Sequence, residues 1–372
     1  MLSDSAARGS HPDVRADAHD PAGLRLVDWR PRPQLVVPVT EVATPAVTCI
    51  DAHNHLGRWL SADGDWIIRD VGALLTLMDD HHVEAVVNLD GRWGAELDAN
   101  VARYDRAHPG RFVTFAHLDW RVLADPAAPD GGGAALLDQV RDAARRGARG
   151  LKVWKDLGLE VRDASGALVM PDDPRVVAAL ALAGELGLVV LIHVADPKAF
   201  FEPLDRFNER YDELLGSPDW SFADRDRFPA FDTLLDALEA LCVATPGTRY
   251  IGAHVGCVAE DLDRVERLLD AAPNLVVDIA GRIAELGRQP RRFRRLVQAH
   301  PDRVVFGTDA YPLDATALRT AFRFLETEDE SFDYAPGDEV PPQGRWQVSG
   351  AALPAELLPA VYADNARRVL GL

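Results

Sequence analysis

The stretch IDAHNHLGRW, residues 50–59, decides between two folds that the pattern of the chain leaves open. From residue 46 onward, short β-branched runs alternate with amphipathic segments rich in Ala, Leu and Arg. This alternation predicts parallel strands joined by helices, either in a closed barrel or in an open doubly wound sheet. The open sheet needs a glycine-rich phosphate loop after its first strand, and residues 50–59 do not form one. We therefore predict an α/β fold, a (β/α)8 TIM barrel.

The pattern predicts eight strands, each followed by a helix. Many of the strand segments are apolar on both faces, as in buried parallel strands. The predicted strands are 46–52, 84–90, 111–118, 148–154, 187–194, 249–255, 274–280 and 302–308. The predicted helices are 70–81, 96–107, 134–146, 173–186, 230–244, 259–271, 290–299 and 314–325.

Several segments lie outside this alternation. Residues 1–23 are polar and predict a disordered tail, and residues 24–45 predict an extended arm that packs on the barrel. Residues 46–372 predict a single barrel domain with insertions at 196–229, after strand five, and at 326–353. A loop that follows a barrel strand lies on the face that carries the active site, so the first insertion is predicted to be a lid or substrate wall.

The composition argues against several classes of partner. The chain has 59 acidic and 40 basic residues, a net charge of -19, which disfavours nucleic acid and anionic membranes. Its three cysteines are too few and too scattered for a disulfide framework, and the first 23 residues lack the apolar segment of a secretory signal. We expect a cytoplasmic protein that acts on a small molecule. The arm lies on its own barrel or on a neighbour's, so a homodimer stays open.

Residues suited to metal binding follow the predicted strands. In a barrel the carboxyl ends of all strands meet at one face, so these side chains are expected to converge. Imidazole and carboxylate together suit Zn²⁺ and related divalent ions. The residues are His53 and His55 after strand one, Lys152 after strand four, His193 after strand five, His254 after strand six and Asp309 after strand eight.

The ordered set of an HxH motif after strand one, histidines after strands five and six and an aspartate after strand eight resembles the amidohydrolase superfamily. The details resemble its amidohydrolase-2 branch, which includes aminocarboxymuconate semialdehyde decarboxylase, over about residues 46–325. The resemblance implies one divalent metal ion, Zn²⁺ or in some members Mn²⁺. It implies that the metal ligands are His53, His55, His193 and Asp309, that Asp309 also shuttles a proton, and that His254 orients water or polarises the substrate.

A second metal would require a carboxylated lysine after strand four. The stretch RGLKVWKD, residues 149–156, offers Lys152 and Lys155, which point to opposite sides of an extended strand. At most one of them faces the barrel axis. We favour Lys152 for the site, as a catalytic residue that binds the substrate rather than bridging two metals, and interpret Lys155 as a surface residue.

Further polar and aromatic residues near the strand ends are candidates for substrate binding. Four cations on one face, Lys152 included, would make a locally positive pocket that suits a carboxylated or phenolic substrate. The substrate-binding candidates are Arg58, Trp59, Arg92, Trp154, Arg282 and Tyr311.

Three functions remain open at this level. The first is hydrolysis, in which water activated by the metal attacks an ester, lactone or amide carbonyl. The second is non-oxidative decarboxylation of an unsaturated or aromatic acid, and the third is a barrel that binds a metal or metabolite without catalysis. The resemblance implies that decarboxylating members often replace the first histidine of HxH by an acid, so the intact His53 favours hydrolysis.

Overall fold

The computed structural model describes residues 23–372 and contains eight parallel strands, each overlapping its predicted range. The strands pair in sequence order from first to last. They are β1 Cys49–Asn54, β2 Val83–Asn88, β3 Phe112–Ala116, β4 Gly150–Val153, β5 Val189–Ile192, β6 Tyr250–Gly252, β7 Leu275–Asp278 and β8 Val304–Val305.

Hydrogen bonds join the first strand to the segment that follows the last. Ala52 N in β1 donates to Phe306 O at 3.0 Å, and Asp309 N donates to His53 O at 2.8 Å. The sheet therefore closes on itself, and the predicted (β/α)8 barrel is confirmed. The second bond also places Asp309 directly beside the HxH motif.

The helices begin and end close to the predicted residues. Where a cap is visible it explains the boundary, as at Asp261, whose side chain accepts a hydrogen bond from Arg264 N. The helices are α1 Val71–Asp80, α2 Gly94–Val101, α3 Gly133–Arg146, α4 Pro174–Glu185, α5 Tyr211–Gly216, α6 Phe231–Ala244, α7 Leu262–Ala271, α8 Ile283–Leu286, α9 Pro290–Ala299, α10 Ala315–Glu326 and α11 Asn365–Leu370. The sequence pattern did not predict α5, α8 or α11.

The last helix closes one end of the barrel. Ala366, Val369 and Leu370 of α11 belong to the same apolar cluster as the inward residues of the strands. Asn365 Nδ2 donates to Val304 O at 2.9 Å, at the start of β8. The amino ends of the strands are thus covered by apolar side chains, and the polar strand-end residues gather at the opposite end.

The first insertion is fixed to the barrel by a buried ion pair. Arg210 is 1% exposed, pairs with Glu213 at 2.6 Å and also pairs with the equally buried Glu285 of α8. The exposed pair of Arg288 with Glu209, at 2.8 Å, joins the same two segments. Whether this insertion acts as a lid stays a prediction.

We expect the Glu285→Gln variant to lower the free energy of unfolding by about 3 kcal/mol, because it removes the buried partner of the Arg210 guanidinium and leaves Glu213 to compensate the charge alone. The urea midpoint measures the loss. Glu209→Gln is the matched control at the exposed pair and should cost less than about 1 kcal/mol. Equal losses for the two variants would contradict a special role for the buried pair.

Contacts divide the chain into two units, one ending at Val36 and the other spanning Val37–Leu372. Within the larger unit, Thr40 N and Thr40 Oγ1 both donate to Asp329, each at 2.7 Å. The packing of the arm before residue 37 stays a prediction, and most of the predicted disordered tail, residues 1–22, lies outside the described residues. Over residues 23–372, the helices are all too short or too polar to cross a bilayer.

Candidate metal centre

The HxH motif places two imidazoles at the carboxyl end of β1. His53 and His55 are both buried, and their ring centroids lie 5.9 Å apart. The Nε2 atoms of the two rings face one carboxylate oxygen, Asp309 Oδ1, at 3.5 Å each. Residues from the first strand and from the loop after the last therefore meet at one point.

Each imidazole of the motif is held by a buried carboxylate behind it. His53 Nδ1 lies 2.8 Å from Asp278 Oδ2, and His55 Nδ1 lies 2.6 Å from Asp90 Oδ1. A carboxylate accepts hydrogen bonds, so Nδ1 carries the proton in both rings and Nε2 keeps its lone pair. This is the arrangement by which outer carboxylates orient histidines that bind a metal.

The same environment keeps His53 neutral. Burial lowers the pKa of His53 well below its usual value, and the nearby Lys152 ammonium lowers it further. Burial also raises the pKa of Asp278 to about 6. A neutral imidazole is the form that binds a metal ion.

Asp309 faces the histidines from a strained backbone. Its φ angle is +57°, a left-handed conformation that non-glycine residues seldom adopt. The side chain is 25% exposed, so solvent reaches the carboxylate while Oδ1 contacts both imidazoles. Left-handed residues of this kind are concentrated at functional sites.

His254 lies on the other side of Asp309. Its Nε2 is 3.9 Å from Asp309 Oδ2, and its Nδ1 is 2.7 Å from the carbonyl oxygen of Ala280. The carbonyl accepts, so in the neutral ring Nδ1 carries the proton. Its φ is +57°, and burial, followed by the charge of Arg282, lowers the pKa of His254 well below its usual value.

These atoms fit a divalent cation. His53, His55 and Asp309 each offer one possible ligand atom, and these three atoms lie within 4.8 Å of one another. Each of them is a nitrogen or oxygen with a lone pair that can bind a cation. A second such group joins His53, His254 and Asp278. The Asp278 oxygens already accept hydrogen bonds from His53 Nδ1 and His254 N, so the first group is the better site.

His193 lies next to this group but outside it. Its ring centroid is 4.5 Å from that of His254, and its Nε2 lies 3.2 Å from Ala195 O and 3.4 Å from Asp196 Oδ1. Because Nε2 faces these acceptors, Nδ1 is the ring atom left with a lone pair. Within the described residues, Nδ1 is buried and has no hydrogen-bond partner. That orphaned nitrogen suits a ligand, and the role of His193 as a metal ligand stays a prediction.

Lys152 and Lys155 have different partners, and Lys155 is not the surface residue that was predicted. Lys152 is 1% exposed, and its Nζ lies 3.5 Å from His53 Nε2. Burial lowers the pKa of Lys152 to about 8. The Lys155 side chain is 16% exposed and pairs with Asp196, the partner of His193. Strand alternation did not apply to it because β4 ends at Val153.

Some of the substrate-binding candidates surround a cavity beside the histidines. Trp59, Arg92 and Trp154 line this cavity, which has a volume of about 650 Å³. The Trp59 and Trp154 rings lie 6.0 and 6.2 Å from the His55 ring. Tyr311 is 51% exposed, and its ring lies 6.0 Å from His55 on the open side of the site.

The four predicted cations have different surroundings, and their convergence in one pocket stays a prediction. Arg58 pairs with Glu96 at 3.1 Å and lies over the Trp66 ring, away from the histidines. Arg282 is buried behind His254 and donates to Gly281 O at 2.8 Å. Of the four, only Arg92 lines the cavity. Two of these cations therefore have other partners: Arg58 pairs with Glu96 of α2, and Arg282 donates to the residue that precedes it.

Sequence reasoning missed the carboxylates that support the site. Asp51, inside β1, accepts from Thr308 N at 3.0 Å and from Thr308 Oγ1 at 2.6 Å, which ties the HxH strand to the Asp309 loop. Burial raises the pKa of Asp51 to about 6. Asp90 and Asp196 each contact one histidine, and Asp278 contacts both His53 and His254. A sequence feature that could have identified these carboxylates is their position within or just after an apolar strand. A buried charge at such a position is costly unless it has a partner.

The chain belongs to the amidohydrolase superfamily of metal-dependent enzymes. A family model described as Amidohydrolase matches residues 50–372, which is most of the chain. The comparison with curated proteins gives no significant match.

Solved structures share the fold at low sequence identity. A 2,6-dihydroxybenzoate decarboxylase from Rhizobium has a TM-score of 0.53 and 15% identity, covering 87% of this chain and 99% of its own. An amidohydrolase from Burkholderia multivorans with bound zinc has a TM-score of 0.50 and 17% identity, covering 88% and 100%. A dihydroxybenzoic acid decarboxylase from Polaromonas sp. JS666 with bound manganese has a TM-score of 0.53 and 13% identity, covering 88% and 97%.

Proposed function

We propose that this protein is a metal-dependent hydrolase that cleaves a C–O or C–N bond, in an ester, lactone or amide, of a small carboxylated substrate. One observation carries the proposal. The Nε2 lone pairs of His53 and His55 converge with Asp309, and each ring is fixed by a buried carboxylate. A divalent ion held there would lower the pKa of a water molecule and polarise a carbonyl group.

Asp309 is the proton shuttle in this proposal. Its 25% exposure lets water reach the carboxylate, and its two oxygens face different imidazoles. It takes a proton from the attacking water and delivers it to the leaving oxygen or nitrogen. The Asp309 carboxylate also belongs to the group of possible metal ligands formed with His53 and His55. In this proposal it therefore serves both as a ligand and as a base.

His254 and Lys152 divide the two remaining tasks. The proton on His254 Nδ1 is engaged by Ala280 O, so its Nε2 accepts a hydrogen bond and orients water. Lys152 is the cation of the cluster, 3.5 Å from His53 Nε2. Its ammonium group stabilises the negative charge that develops on the carbonyl oxygen.

The metal we propose is one Zn²⁺ per chain, with Mn²⁺ as the second candidate. Histidine nitrogens and a carboxylate suit both ions, and the two neighbours contain zinc and manganese respectively. A second metal would require carboxylation of Lys152. We assign Lys152 to substrate binding, as the cation that lies beside His53.

Non-oxidative decarboxylation is the second candidate. Two of the similar structures are decarboxylases of hydroxylated benzoates. The buried Lys152 ammonium is also placed to bind a substrate carboxylate beside the histidines. Hydrolysis remains our conclusion because the motif keeps both histidines and because Asp309 is open to water.

The two reactions are separated by incubating the metal-loaded protein in ¹⁸O-labelled water. The panel contains esters, lactones and N-acyl compounds that carry a free carboxylate, together with hydroxylated benzoic acids. We expect one ¹⁸O atom in the product carboxylate, detected by mass spectrometry, and no release of CO₂. Release of CO₂ from the benzoic acids without hydrolysis of the other compounds would contradict the proposal in favour of decarboxylation.

A further inference from the structure

The cavity beside the histidines contains a cation without a carboxylate partner. Arg92 lines it and, among residues 23–372, makes no ion pair within 4.0 Å. Its Nη1 donates to His117 Nδ1 at 3.3 Å, and its guanidinium lies over the Trp93 and Trp59 rings at 4.2 and 5.0 Å. Stacking and one neutral hydrogen bond hold the guanidinium in place and leave donors free for an anion.

A second arginine of the same cavity lacks this freedom. Arg121 donates to Asp119 through Nε at 2.7 Å and through Nη2 at 2.6 Å, a two-point pairing that satisfies its charge. Its side chain is 81% exposed, whereas Arg92 is buried enough for its pKa to be lowered. Arg92 is therefore the better receptor for an anion that enters the cavity.

The same cavity contains a buried carboxylate oxygen without a hydrogen-bond donor. Asp156 lines it, and its Oδ1 is buried and has no hydrogen-bond partner within the described part of the chain. Burial raises the pKa of Asp156 to about 7. An unpaired acceptor of this kind carries a desolvation cost until a donor reaches it, and a ligand can supply that donor.

Arg92 and Asp156 are near enough to interact but too far apart to pair. Burial lowers the pKa of Arg92, and among the charges that raise it Asp156 has the largest effect. The two side chains nevertheless form no ion pair within 4.0 Å. The gap leaves room for a ligand with an anion and a donor a few bonds apart. The Trp59 and Trp154 rings, 4.7 Å apart, supply an apolar wall beside it.

We propose that this cavity binds the non-reacting part of the substrate as a hydroxy acid, with its carboxylate on Arg92, its hydroxyl donating to Asp156 and its apolar part against Trp59 and Trp154. This inference rests on the proposed function, because the rings of Trp59 and Trp154, which line the cavity, lie 6.0 and 6.2 Å from the ring of His55. A neutral hydroxyl suits Asp156 better than an ammonium group, because an ammonium group would add a second cation beside Arg92, whose charge already acts on Asp156.

Calorimetric titration of metal-free protein tests the subsite without requiring turnover. The probes are mandelate, phenylacetate, 1-phenylethane-1,2-diol and phenylglycine, which share a phenyl group and differ in the carboxylate, hydroxyl and ammonium. We expect mandelate to bind at least about 10-fold more tightly than each of the other three. Phenylglycine binding as tightly as mandelate would overturn the assignment of a hydroxyl, and no binding of any probe at 10 mM would overturn the subsite.

Variants assign the two contacts. Arg92→Gln should weaken mandelate binding by about 10- to 100-fold, and Arg92→Lys should restore part of the loss. Asp156→Leu should leave mandelate and phenylacetate with equal affinity, because it removes the acceptor that we assign to the hydroxyl group. Arg145→Gln, on the 68%-exposed side chain of α3, is the control and should bind mandelate as the parent does. Unchanged mandelate affinity in Arg92→Gln would overturn the inference.

The outcomes for this subsite and for hydrolysis are distinguishable. Mandelate binding that depends on Arg92, in a protein that hydrolyses none of the panel, would leave the subsite standing and contradict the proposed reaction. Hydrolysis that mandelate does not inhibit, and that Arg92→Gln does not impair, would leave the reaction standing and overturn the subsite.

Discussion

The Asp309→Asn variant is expected to lose about two to four orders of magnitude in kcat while it retains metal. Asparagine keeps an oxygen that can contact the ion, but its amide cannot take the proton that the carboxylate accepts from water. The measurement is kcat on the best substrate from the ester, lactone and amide panel, together with metal content by elemental analysis. The two readouts separate the role of Asp309 as a base from its role as a ligand.

A surface carboxylate provides the control for this variant. Asp138 on α3 is 78% exposed in its side chain, and Asp138→Asn should leave kcat within about twofold of the parent, because it lies on the outer ring of helices. An Asp309→Asn protein with full metal content and nearly unchanged kcat would contradict the proton-shuttle role. Loss of both activity and metal would instead assign Asp309 chiefly as a ligand.

The His53→Ala variant is expected to bind the metal at least about 100-fold more weakly. Loss of a residue that only hydrogen-bonds a metal ligand costs about 10- to 100-fold, and loss of the ligand itself should cost no less. His53 Nε2 faces Asp309 and Lys152, and its Nδ1 is bonded to Asp278. Removing the ring therefore deletes a metal-ligand nitrogen and also leaves the Asp278 carboxylate without its imidazole partner. Titration with Zn²⁺ against a competing chelator gives the affinity.

His108 offers a matched histidine outside the cluster. It follows α2, and its ring lies 6.0 Å from Phe112, so its role is packing near the start of β3. His108→Ala should bind Zn²⁺ as the parent protein does. If His53→Ala and His108→Ala lowered the Zn²⁺ affinity equally, the assignment of the HxH motif as metal ligands would be wrong.

The order of strands and helices was predictable because each element carries its own pattern. The short β-branched runs predicted all eight strands. The closing helix α11 was missed because its apolar residues, Ala366, Val369 and Leu370, face the barrel interior over less than two turns. So short a pattern does not stand out from loop sequence, although its burial closes the fold.

The convergence of the histidines with Asp309 was expected from the fold, because strand ends meet at one face. The orientation of the imidazole rings was not expected. Which ring nitrogen keeps its lone pair depends on hydrogen-bond partners that are distant in sequence. His53 is 225 residues from Asp278, and His55 is 35 residues from Asp90. The same holds for Arg58, whose partner Glu96 lies in α2, 38 residues further along the chain.

The most direct test of this account is the metal content of the protein purified without chelator. The account predicts about one equivalent of zinc or manganese per chain, since His53, His55 and Asp309 form one group of acceptors. About two equivalents would contradict the substrate-binding role of Lys152 and make it a bridging ligand. No metal, even after incubation with Zn²⁺ and Mn²⁺, would contradict the central claim that this cluster is a metal centre.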